Sequence, residues 1–556
     1  MQEKVLQLLA NICSLLLTPV NHNEPFKPFK ILENERSFSV EDLQPSDITL
    51  IAEMAGEVDD PLLQARLADL AWLLATPRNF RLALMAIDAY RKTQPDPLTW
   101  AIAGRDCFDR AVFLTYQLGR GAGTRLQEIE GAVLDAFRIS CDSNPRFALE
   151  LTEAMYRSRL GRGSATSIGT ALVTLAGTFS STASLDSVRE CFGGAAKWFH
   201  IAGNSAEATV ATVQVAAGWA KEAEFLLSAE KPSHLTVAHH IERAIQTYRS
   251  IPRASRGTHS IDDRILKLRT LLSNVSEKRV DDLMTVASQP IDLQRLILAA
   301  RERLHEKTGN DALWELATVH GGAKISTIRD SAIQIYEKHP FQNIFDSVLL
   351  SRDGRVIARQ PGSADPAGNA QANSTAVWAQ MLKLFQIQLG IVVQGQILPA
   401  LEEVSIINRF REDDLISIAS LSPIVPYGRE KLVGKALFLG LERDFVSAVH
   451  LLVPQIEHFV RFHLKANGEK TTVLDDSGIE NELGLSALVE SPFLTRIFGE
   501  DISFEIRALL CDPLGANLRN EIAHGLLDDT FCNTFPVVYA WHLGLRLVLI
   551  SYWSSR

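Results

Sequence analysis

Apolar residues recur at three- and four-residue steps along most of this chain, and that spacing commits it to helices. Leu62, Leu63, Leu67, Leu70, Leu73 and Leu74 fall on one helical face. Val133, Leu134, Phe137 and Ile139 start a second pattern, which resumes at Phe147, Leu149 and Leu151 after a turn at Ser143-Asn144-Pro145. Between residues 201 and 250 the side chains shrink to Ala202, Ala206, Ala211, Ala216, Ala217, Ala220, Ala223, Ala238 and Ala244, with Trp219, Phe225 and Tyr248 interleaved. Small residues let helices approach closely while sparse aromatics fill the gaps, as in stacked helical hairpins. No strict period of about 34 residues runs through it, so the expected architecture is a degenerate, solenoid-like helical array.

Breaks in the pattern divide the chain. Residues 19–47 carry Pro19, Pro25, Pro28 and Pro45 and read as irregular. Residues 345–358 place Asp353-Gly354 between two apolar segments, a hairpin signal and one of few strand signals here. Residues 361–375 contain no large apolar side chain and read as a mobile loop. Residues 422–429 hold two prolines and a glycine. The expected organisation is therefore an N-terminal helix and irregular linker over 1–47, the array over 48–345, a hairpin, loop and connecting helices over 346–425, and a helical bundle over 426–556. Within the bundle the spacing predicts a long helix over about 435–466, interrupted or kinked at Pro454. A short strand follows at Thr471-Thr472-Val473-Leu474, then helices over about 502–511, 518–527 (with Asn517 as N-cap) and 534–553. The fold class is all-α with minor β-hairpin insertions.

Charge and cysteine usage bound the chemistry. The 556 residues carry a net charge of −10, so the chain does not coat nucleic acid through net charge. With 46% hydrophobic and 22% charged residues, wholesale disorder, collagen-like repeats and a disulfide scaffold are excluded. Cys13, Cys107, Cys141, Cys191, Cys511 and Cys532 are too widely spaced for a zinc or redox half-site, and fit a reducing compartment. The apolar stretch from Leu6 to Val20 is interrupted by Gln7, Asn11 and Ser14, and no small-residue cleavage site follows. Lys383, Gln386, Gln388, Gln394 and Gln396 break the stretch over 377–400 below a membrane span. A soluble, cytoplasmic protein with no membrane contact is the expectation.

Most enzyme strings are missing: there is no Walker A loop, no H-E-x-x-H and no G-x-S-x-G. Gly119-Arg120-Gly121-Ala122-Gly123 reads as a helix connector. The rings of His239 and His240, about 100° apart around a helix, do not converge on a metal. No cofactor and no metal is expected.

The informative string is Asn517-Leu518-Arg519-Asn520-Glu521-Ile522-Ala523-His524-Gly525. On a helix Asn520 and His524 share a face and Arg519 lies beside it. An imidazole shuttles protons near neutral pH and a guanidinium holds a phosphate and its developing charge. Such a set can drive attack of a ribose 2′-hydroxyl on the adjacent phosphate without metal. The bare Arg-to-His spacing is weak, since Arg253 with His259 and Arg443 with His450 show it too. Arg443 and His450, almost two turns apart, either support the same cleft or are ordinary helix packing. Glu457 and Arg461 read as an ordinary intrahelical pair. Equally, Arg519 can salt-bridge Glu521 or another acid, and His524 can be a core histidine.

The wider string Arg519-Asn520-x-x-x-His524-Gly525, late in a small helical bundle, resembles the HEPN superfamily. More narrowly, it is similar to a family with an Arg-Asn-x-x-x-His-Gly hallmark, also carried by the endoplasmic-reticulum membrane-associated RNA degradation protein. Val449-His450-Leu451-Leu452-Val453-Pro454-Gln455-Ile456-Glu457 is similar to that family's first bundle helix. The resemblance covers roughly residues 425–556. It implies a HEPN-like four-helix bundle acting as a metal-independent endoribonuclease, with Arg519, Asn520 and His524 at the catalytic site. It further implies RNA as substrate, a homodimer or higher homo-oligomer through the bundle, and a defence or toxin-like role in bacteria. In that reading the array senses a protein or nucleic-acid trigger. The tyrosine that some HEPN toxins carry shortly after the histidine is replaced here by Gly525-Leu526, so that mode of control does not carry over. The alternatives are a non-catalytic scaffold that dimerises through the bundle and a nucleotide-binding regulator. Residues 430–556 hold 11 Lys and Arg against 17 Asp and Glu, a net of −6, whereas residues 243–279 carry nine against three, a net of +6. That basic stretch either contacts RNA or an acidic partner, or is a solvated helix face.

Overall fold

The computed structural model describes all residues except 1, 20, 22–23, 32–34, 94, 182–184, 285–288, 340–343, 352, 361, 363–373, 529–530 and 532–533. Most of the loop expected over 361–375 lies outside the described residues, as does Cys532. Among the described residues the chain is mostly helical, with three small two-stranded antiparallel sheets. It divides into two compact units, Met1–Asp282 and Leu283–Arg556.

In the first unit most helices pack chiefly on a near neighbour in sequence, from Pro61–Leu74 through Ile261–Ser276. Capping is local and legible: Asp60 accepts from the Leu63 N–H, Asn144 from Phe147 and Ser233 from Thr236. The glycine-rich string forms the connector between helices Arg105–Leu118 and Arg125–Ser143, with Gly119 and Gly123 at positive φ. Two apolar cores result, one from Ile12 to Ala211 and a smaller one from Val213 to Val275. Inside the larger core Arg110 donates twice to Asp69, both bonds 2.8 Å long, and the Tyr90 hydroxyl donates to the same carboxylate. Pairing is what makes a buried charge tolerable there.

The second unit has one core, shared by the helices between Gln294 and Leu421 and those from Glu430 onward. Its central element is Phe535–Ser554, whose Leu543, Leu545, Val548 and Leu549 are fully buried. A run apolar on every side belongs in a core. The C-terminal helix therefore fills this core and offers no broad free face. By length and mean hydropathy alone, Ser374–Ile407 and Phe535–Ser554 are long and apolar enough to cross a membrane. The glutamines that interrupt the first carry no charge, which is why the stretch passes despite them. Glu505 and Arg546 pair at the centre of this core, and Tyr539 also donates to Glu505. The Ala323 N–H closes on the same carboxylate at 2.8 Å.

The hairpin expected at Asp353-Gly354 is present as Ser347–Leu350 against Val356–Gln360, and Thr472–Leu474 pairs with Glu480–Glu482. The helix expected over 435–466 is instead two, Glu430–Leu441 and Phe445–Ala466. They part at Arg443, which takes a φ of 64°, and at Asp444, whose carboxylate caps the Ser447 N–H. Pro454 lies inside the second helix without ending it.

Candidate functional site

The motif is carried by a short helix, Leu518–Ala523, held in place from both ends. The turn before it is fixed by Asp512, which accepts from Trp378 Nε1 at 2.8 Å and from the Leu514 N–H at 2.9 Å. Gly515 is required there: a Cβ would stand 1.9 Å from the Ala508 carbonyl oxygen. Asn517 occupies the N-cap in the left-handed region, φ 49°, which asparagine tolerates. Its side chain accepts from Asn520 Nδ2 at 2.9 Å and caps no N–H. Leu518 is fully buried and anchors the helix. The helix was expected to reach residue 527 but stops at Ala523. Gly525 takes a φ of 64°, its N–H bonds the Ile522 carbonyl and the Leu526 N–H bonds the Glu521 carbonyl, which closes the helix end. His524 is therefore the C-cap.

Arg519 points into a cleft of about 360 Å³, lined also by Arg429, Val453, Pro454, Gln455, Glu457, His458, Arg461, Ile522 and Ala523. Its Nε donates to Glu457 at 3.0 Å and its Nη1 to Asn520 Oδ1 at 3.3 Å. Glu457, not Glu521, is thus its acidic partner. The same carboxylate takes Arg461 Nη2 at 2.9 Å, one turn along the Phe445–Ala466 helix. Arg461 reaches further, to the Leu483 carbonyl at 2.6 Å and Glu482 at 3.3 Å. The Arg519 side chain keeps 30% of its surface in solvent while Glu457 keeps 15%. Arg429 comes from the turn before the Glu430–Leu441 helix and makes a 3.5 Å contact with Gln455. Burial first, then the guanidiniums of Arg429 and Arg461, hold the His458 imidazole below its ordinary value, with Glu482 pulling the other way. Burial pushes the nearby Cys511 thiol up to about 12, so no thiolate serves here.

The motif residues are not brought together evenly. Arg519 lines the cleft, and Asn520 braces it. His524 is exposed, follows cleft-lining Ala523, and makes no side-chain hydrogen bond to a described residue. A buried core histidine is therefore not its role. Arg443 and His450 do not line this cleft: Arg443 lies in the helix break and His450 in the helix after it, and His450 Nδ1 pairs with the Val446 carbonyl at 2.7 Å. The sequence reading missed Arg429 and His458 as cleft residues. Arg429 had no visible signal, but the adjacency of His458 to the Glu457–Arg461 pair on one helix was there to be read.

Elsewhere, His239 and His240 stand edge-on to each other at 5.7 Å beside Trp219, and among the described residues no group of three or more His, Cys, Asp or Glu is placed to hold a metal ion. In the basic stretch Arg243, Arg249, Arg253, Arg264, Lys267, Arg269 and Lys278 are exposed, while Arg279 is buried against Glu242.

Residues 1–127 match a family model described as a domain of unknown function, DUF7380. That match lies within the first unit and does not reach Arg519. No curated protein and no solved structure matches the chain.

Proposed function

We propose that the chain is a metal-independent endoribonuclease of HEPN type, and that Arg519 works in the cleft beneath the motif helix. One observation carries this reading: three guanidiniums, Arg429, Arg461 and Arg519, converge with an imidazole on one open cleft whose described lining includes one carboxylate, Glu457, while Arg461 also pairs with Glu482. Their excess positive charge suits a phosphodiester, and a guanidinium fork stabilises the charge that develops on phosphorus-bound oxygen. The local charge runs against the acidic balance of residues 430–556, as a site for an anion on an acidic protein requires. The defence-related setting, with the helical array docking a trigger, follows from the resemblance alone, and a cytoplasmic setting from the cysteine spacing.

Incubating the purified chain with labelled RNA in EDTA tests the proposal. The expected products end in 2′,3′-cyclic phosphate and 5′-hydroxyl. Activity that disappears in EDTA and returns with magnesium overturns the mechanism. Light scattering tests the homodimer or higher homo-oligomer that the resemblance implies, and a monomer overturns that part of the reading.

A further inference from the structure

The cleft holds an imidazole that the motif does not name. His458 follows Glu457 on the Phe445–Ala466 helix and opens onto the same space as Arg429, Arg461 and Arg519. It is half-buried, and its ring makes no hydrogen bond to a described residue. The charged groups around it are Glu457 and Arg461 from its own helix, Arg429 from the turn before the Glu430–Leu441 helix, Glu482 from the hairpin and Arg519 from the motif helix. Burial first, then the guanidiniums of Arg429 and Arg461, lower its proton affinity, which favours the neutral ring with a lone pair free to accept a proton.

We infer that His458 is the general base of this cleft, that Arg429, Arg461 and Arg519 hold a phosphodiester against it, and that His524, next in sequence to cleft-lining Ala523, is the general acid. This rests on the ribonuclease reading. His458 takes the proton of the 2′-hydroxyl, and the 2′-oxygen forms a bond to phosphorus. The bond from phosphorus to the 5′-oxygen breaks, its electron pair stays on that oxygen, and the His524 imidazolium supplies the proton. His458 ends protonated and His524 neutral, and exchange with water resets both. Base and acid then come from two elements, the Phe445–Ala466 helix and the end of the motif helix.

The test uses the full chain as wild type, His458→Ala and His458→Gln. Cleavage of labelled RNA in EDTA is followed from about pH 5 to about pH 9, where an imidazole base titrates. Binding of the same oligonucleotide with 2′-deoxyribose at the cut site is followed by fluorescence anisotropy. Both variants are expected to bind within about threefold of wild type and to cleave about 10²–10⁴-fold more slowly. They are also expected to lose the rise in rate on the acidic side of the profile. Wild-type rates and profile in either variant overturn the inference and leave the ribonuclease reading standing. A wild type that binds but never cleaves overturns the ribonuclease reading itself. The wild-type chain gives an independent readout by NMR: inorganic phosphate is expected to move the His458 ring resonances. A ring that ignores phosphate overturns the inference even where the variants fail to fold.

Discussion

The second unit contains two arginine–carboxylate clusters of opposite character. Around Glu505 the charges are sealed: Glu505 is fully buried, Arg546 nearly so, and Tyr539 and the Ala323 N–H complete the carboxylate's shell. Around Glu457 the same chemistry stands open, with Arg519 partly in solvent and two further guanidiniums beside the cleft. The first unit repeats the sealed form at Asp69, Arg110 and Tyr90. In a sealed cluster three protein donors reach one buried carboxylate and solvent reaches none of it, so it holds structure. An open cluster leaves donors for a ligand, at the cost of weaker internal pairing.

The largest expected effect breaks a sealed cluster. Glu505→Ala leaves Arg546 charged and unpaired in the core and should cost about 3–5 kcal/mol, as should Asp69→Ala through Arg110. Urea denaturation checks both, and a loss under about 1 kcal/mol would show that solvent reaches these charges.

A second effect is set by pH. His542 is fully buried beside Arg546, its Nε2–H donating to the Leu316 carbonyl at 3.0 Å, and burial followed by Arg546 lowers its value from 6.5 to about 3. A depressed imidazole favours folding above its unfolded value. As the pH falls from 6.5 to about 3, the unfolded chain binds the proton and the folded chain does not, so stability falls, by at most about 1.4 kcal/mol per pH unit. His542→Phe should flatten that part of the stability–pH curve, which denaturation at several pH values reads directly.

At the open cluster the effect on folding shrinks and the effect on chemistry grows. Arg519→Ala is expected to change stability by about 1 kcal/mol or less, yet to slow RNA cleavage by about 10²–10³-fold. The smallest effect is at the exposed basic stretch: Lys267→Glu with Arg269→Glu should leave stability within about 0.5 kcal/mol, measured by thermal melting.

How much of this the sequence discloses follows from the range of each interaction. Elements fixed by neighbours were legible: the hairpin at Asp353-Gly354, the strand after Thr471 and the last helix. The break at Arg443 was misplaced to Pro454, although Asp444 three residues before Ser447 is a capping signal. The motif helix was drawn too long because Gly525 was read as part of it, whereas its positive φ is what ends it. The cleft was half legible. Arg519 was singled out, but its partner Glu457 lies 62 residues away and no periodicity links the two. Arg429 and His458 join them only through the packing of separate helices.

The contrast between sealed and open clusters is tested most directly by measuring melting and RNA cleavage, in EDTA, on the same sample of Arg519→Ala. The account predicts a melting temperature within a few degrees of wild type and cleavage reduced about a hundredfold or more. Wild-type cleavage by the variant would contradict it, and so would unfolding that accounts for the lost activity.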